Sequence, residues 1–162
     1  MDDCWQVFDI AVAAWRLGDL AADRLPAAAL AALSAGCDCP SLGHLAAMGG
    51  AGWSEIEPLV ARVLSERGLT TPTPDEAVKR VADDLLHQLV AGELEPQAGT
   101  ERLRELAWKA VDRAPWEDLV TFVSLSGDFD AVEAAHWDHA DVCEVVLRES
   151  RGLLDRGGVR LR

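Results

Sequence analysis

Apolar residues recur along this chain every three or four positions, and the breaks between such runs fall mostly on glycine and proline. That period marks amphipathic helices, each presenting one apolar stripe to a core. Trp5, Phe8, Val12 and Trp15 form the first stripe, predicting a helix from Asp2 to about Arg24. Pro26 suits the first turn of a second helix, which Gly36 stops. Pro40 opens a third, reaching about Met48 and burying Leu42 and Leu45.

GGAG at 49–52 reads as a loop, after which Ser54 is the expected N-cap of a helix ending at Arg67, with Glu57 completing a capping box and Gly68 closing it. Thr73 caps the next helix and Pro74 opens it; Val78, Val81, Leu85 and Leu89 form its stripe and Gly92 ends it. Pro96 starts a helix carrying Leu103, Leu106, Ala107 and Val111, and Pro115 one carrying Trp116, Leu119, Phe122 and Val123. SGDFD at 126–130 predicts a turn, leaving a last helix from about Asp130 to Arg156. No segment alternates as a strand would. The expected fold is all-α: a single compact bundle of about seven or eight helices, one domain over 1–162 with a basic C-terminal tail at 148–162.

Length changes this picture little, since 162 residues bury a real core without staples. The scarcity of Tyr, Asn, Ile and Lys beside abundant Ala, Leu, Asp and Arg reflects GC-rich coding, and composition is discounted accordingly. Charge is more informative. A net charge of −13 repels phosphate backbones and anionic lipid surfaces, which argues against nucleic acid and membrane as partners. The acidic MDDCWQVFD start lacks the layout of a signal peptide, and the apolar 25–36 stretch is too short to span a bilayer. These features predict a cytoplasmic protein whose four cysteines are reduced thiols.

Two stretches, GCDCPSLGHLA (36–46) and GELEPQAG (92–99), resemble helix-corner motifs of small all-helical bacterial proteins. The resemblance covers about a fifth of the chain. It implies a helical fold and no activity, and it makes Cys39 look like a substitution at a helix-cap position.

Chemistry-bearing residues are few. Cys37, Cys39, His136 and His139 offer thiol and imidazole donors suited to Zn²⁺, with His44 and Cys143 nearby in sequence. Against this, Cys-x-Cys is not a zinc-knuckle spacing, and a helix over 130–154 places His136, His139 and Cys143 on or beside the core face with Val132, Ala135, Val142, Val146, Ser150 and Leu153. Asp84 with His87, and Glu133 with His136, repeat the carboxylate–histidine spacing of di-iron bundles; Glu57, Glu101 and Glu105, available as further carboxylates, fall on solvent-facing stripes. Cys37 or Cys39 with His44 and Asp38 is the only local set resembling a nucleophile and base, and a helix-start thiol can be acidified. No nucleophile elbow, phosphate loop or redox Cys-x-x-C occurs, so the residues predict a non-enzymatic chain.

Charge segregation is sharper. Pro115 to Leu147 holds eight acids and no Lys or Arg, whereas Arg148 to Arg162 holds five Arg against two acids. On the predicted last helix, Asp130, Glu133, Trp137, Asp141 and Glu144 form the stripe opposite the core. Tryptophan is a frequent interface anchor and carboxylates around it steer a basic protein partner. The chain therefore reads as an adaptor-, inhibitor- or immunity-type interaction module, with Zn²⁺ binding through Cys37, Cys39, His136 and His139 as the alternative. The competing internal reading is that the Arg-rich tail folds back onto the acids. Trp5, Trp15 and Trp116 lie on apolar stripes and predict core positions; Trp108 is borderline, and Trp53 is placed to staple the helix after the glycine loop.

Overall fold

The computed structural model describes residues 3–111, 116–133 and 138–160, with all their side chains except those of Asp3 and Glu133. Among them are eight α-helices, two short 3-10 turns and no strand, so the all-α expectation holds. No helix among the described residues is long and apolar enough to cross a membrane. The chain packs as two compact units, Met1–Ala77 and Val78–Arg162, with the division falling inside one helix.

The first unit contains α1 (Gln6–Arg16), α2 (Leu25–Ser34), α3 (Pro40–Ala46) and α4 (Trp53–Glu66). Phe8 and Val12 of α1, Leu25 of α2, Leu42 and Leu45 of α3, and Ile56 and Val63 of α4 meet in one core with almost no exposure. α1 stops at Arg16 rather than near Arg24, because Gly18 takes φ +77° and lets Asp19 donate back to the Ala14 carbonyl at 2.9 Å. α4 begins one residue before Ser54. Gly52 is its cap, and the Glu55 carboxylate, not Glu57, reaches back to the Gly52 amide at 3.1 Å.

α5 (Pro74–Ala91) crosses the division. Thr73 caps it as the sequence predicts, and Glu76 completes a capping box: Thr73 Oγ1 accepts from the Glu76 amide at 3.3 Å, and Glu76 accepts from the Thr73 amide at 2.7 Å. The second unit continues with α6 (Pro96–Lys109), α7 (Trp116–Glu133) and α8 (His139–Asp155). α6 packs along α7, and both touch α8.

The predicted turn at SGDFD does not form. Leu119, Phe122, Ser126 and Phe129 recur at helical spacing and are all buried, so α7 continues through Gly127 to Glu133. Burial of that face outweighs the turn propensity of Ser, Gly and Asp. The next helix accordingly starts at His139, not Asp130. Asp138 caps it, its Oδ1 accepting from the Ala140 amide at 2.8 Å.

Candidate functional site

The GCDCP corner joins α2 to α3. Cys37 is part of the first unit's core, and burial, together with the neighbouring Cys4 thiol, pushes its pKa up to about 12. Cys39 stands at the N-cap of α3 in an extended conformation but makes no capping bond. Glu66, at the end of α4, caps instead: its carboxylate accepts from the Ser41 amide at 3.0 Å and the Ser41 hydroxyl at 2.6 Å. Those bonds hold Glu66 below the ordinary carboxylate value. Burial and the same carboxylate push the Cys39 thiol up, opposite in sign to the acidification a helix start would supply. Both thiols in this corner are therefore protonated at neutral pH, and Cys37, Cys39 and His44 form no group of converging metal donors.

Nearby, Asp9 and Arg67 form a paired charge in the half-dry interior of the first unit. The guanidinium meets both carboxylate oxygens, at 2.5 and 3.0 Å, and lies 3.9 Å above the Trp5 ring. Trp5 is thus half-buried beneath a cation, while Trp15 is in the core and packs at a tilt, with ring centroids 4.8 Å apart, against the exposed Trp53.

In the second unit the predicted acidic stripe is divided between two helices, because α7 runs on to Glu133. Asp130 is exposed on α7; Asp141 and Glu144 are exposed on α8. The Glu133 side chain and all of Trp137 lie outside the described residues, as does His136. Residues 148–155 of the basic segment belong to α8, and the chain beyond it folds back. Arg160 donates to both oxygens of Asp118 at 2.7 and 3.1 Å, and its amide adds a bond at 2.9 Å. Arg160 holds the Asp118 carboxyl below its ordinary value. Tail docking thus engages one acid of α7 and leaves Asp130, Asp141 and Glu144 at the surface.

Aromatic exposure falls where the sequence placed it least firmly. Trp108, near the end of α6, is 59% exposed, and its ring packs at a 46° tilt against that of Trp116, the first residue of α7, with centroids 5.7 Å apart. Trp116 is half-buried rather than core. Val120, one turn along α7 from Trp116, and Val111 are exposed beside them in sequence. The one legible signal for this patch was that Trp108 follows the exposed Glu101 and Glu105 on one helical face.

A third cluster joins α6 to α8. Glu95 caps α6, its Oε2 accepting from the Ala98 amide at 3.0 Å. Beside it stand His139 and Cys143, whose Nδ1 and Sγ are 3.5 Å apart. One donor atom from each of the three lies within 4.8 Å of the others. His139 is exposed, against its predicted place by the core, and its ring lies 5.6 Å from that of Phe129. Burial, then the Glu95 charge, pushes the Cys143 thiol up. Sequence reading found His139 and Cys143 but not Glu95, because a cap glutamate separated by 44 residues carries no donor spacing. The di-iron pattern has no such support: Asp84 accepts from Gln88 at 2.6 Å and His87 is exposed. Comparison with protein-family models, with characterised proteins and with solved structures returned no match.

Proposed function

We propose that this chain acts by binding rather than catalysis, as an intracellular helical module that engages a basic surface of another protein. The observation that carries the reading is the exposed Trp108, packed at a tilt against Trp116 and flanked in sequence by exposed Val111 and Val120, in a chain of net charge −13. An exposed tryptophan presents a large rigid face on which an arginine or lysine stacks, and monomeric surfaces expose few such groups together. Asp130, Asp141 and Glu144 add exposed negative charge; Glu133 and Trp137 belong to the same acidic stripe of the sequence. Asp130 lies about 21 Å along the α7 axis from Trp116, a span that suits a protein surface better than a single side chain. Long-range attraction steers encounter, and the aromatic pair supplies short-range affinity.

Affinity capture from host lysate tests this. A basic protein should be retained at low salt and released as salt rises. Trp108→Ala should weaken retention by about 2 kcal/mol or more, as should Trp137→Ala if that residue is the anchor. Charge reversal of Asp130, Asp141 and Glu144 together should slow association. Capture indifferent to salt and to all three changes rejects the reading.

A further inference from the structure

We infer that Glu95, His139 and Cys143 form a binding site for a divalent transition-metal ion of the Zn²⁺ class. The three donors come from two helices and converge to within 4.8 Å, with the closest pair at 3.5 Å. A tetrahedral Zn²⁺ with bonds of roughly 2.0 to 2.3 Å holds its ligands about 3.3 to 3.8 Å apart, so closing the shell asks only small side-chain rotations. The mixed S, N, O donor set selects zinc-like ions over Mg²⁺ or Ca²⁺, which want oxygen alone.

Local structure orients each donor. Glu95 is held through its cap bond to Ala98 by one oxygen, leaving the other free to bind. Asp138 fixes the start of α8, which sets His139 and Cys143 one turn apart on the same face. The Phe129 ring beside His139 restricts the imidazole. Electrostatics favour a cation here. The segment from Pro115 to Leu147 has no Lys or Arg, and the Glu95 carboxylate stands beside the other two donors. On binding, the Cys143 proton passes to solvent and the sulfur becomes a thiolate ligand. Three protein ligands leave a fourth position to water or a partner's side chain. This site does not depend on the basic-partner reading, and of the zinc set read from the sequence, Cys37, Cys39, His136 and His139, it uses His139 alone, adding Glu95 and Cys143.

Cobalt titration of the reduced full chain, followed by absorption, decides the matter. Co²⁺ should bind with tetrahedral d–d bands and a sulfur-to-cobalt charge-transfer band, and excess Zn²⁺ should abolish both. The double variant Cys37→Ser/Cys39→Ser should keep the spectrum. Cys143→Ser should lose the charge-transfer band, and His139→Ala and Glu95→Gln should each weaken binding by roughly tenfold or more. Glu95→Gln retains an oxygen for the helix cap, so its effect reports on the metal and not on folding. A spectrum that persists in Cys143→Ser, or a wild-type chain that takes up no Co²⁺ at millimolar concentration, overturns the site.

Discussion

Asp9 sits one turn after Trp5 on α1, with only 6% of its surface exposed, and a lone carboxylate there would be expensive to bury. Arg67, at the C-terminal end of α4, removes the cost by meeting both oxygens, and its charge also opposes the negative end of that helix. Asp9→Asn should destabilise the chain by roughly 2 to 3 kcal/mol in urea denaturation, less than a fully buried pair because both side chains keep some contact with water. Arg67→Lys keeps the charge but loses the two-pronged contact and the stacking on Trp5, so its loss should be smaller than that of Asp9→Asn. Equal stability of Asp9→Asn and wild type would show that the pair contributes nothing net.

Two helical glycines separate propensity from packing at the scale of the element. A Cβ on Gly99 of α6 would come within 2.5 to 3.0 Å of three side-chain carbons of Leu89, itself buried, so the glycine is what allows α6 to lie so close to α5. Gly99→Ala gains about 1 kcal/mol of helix propensity but crowds a filled core, and the expected net effect is a loss of about 1 to 2 kcal/mol. Gly127 of α7 is exposed and meets nothing within 4 Å, so Gly127→Ala should stabilise by up to about 1 kcal/mol. Opposite signs in thermal denaturation are the test. A gain at both sites would mean Leu89 yields easily, and a loss at Gly127 would mean α7 does not persist through SGDFD.

For the whole molecule, the largest electrostatic fact is the charge of −13, and the tail is where the second unit counters it. Gly158 adopts φ +79° with the Asp83 carboxylate filling the space a Cβ would need; Asp83 accepts from the Val159 amide at 2.8 Å, and Arg160 closes on Asp118. The three residues Gly158, Val159 and Arg160 thereby tie α5, α7 and α8 together. Arg160 stabilises ionised Asp118 in the folded state, so its folded pKa lies below the ordinary 3.8, and the unfolded chain takes up the proton first. The contribution is fully present above the unfolded value and is lost as pH falls through the folded one. Asp118→Asn should therefore be less stable than wild type by a constant margin from about pH 5 to 7, and the margin should shrink below about pH 4. Urea midpoints across that range check it; a margin that widens in acid would contradict the pairing.

Helix type and most boundaries were determined by the sequence alone, because a 3.6-residue apolar period and glycine or proline stops are local properties of the chain. Thr73, Gly36, Gly68 and Gly92 behave as their spacing predicts. Tertiary structure decided what local rules could not weigh. α7 continues through SGDFD because Phe129 finds a core, which moves Asp130 and Asp141 onto different helices. Glu66 takes the capping role from Cys39, Arg160 finds Asp118, and Glu95 joins His139 and Cys143 across more than forty residues. Burial, pairing and donor convergence are sums over neighbours distant in sequence. A residue's type states what it can offer, and only the packed chain determines what it meets.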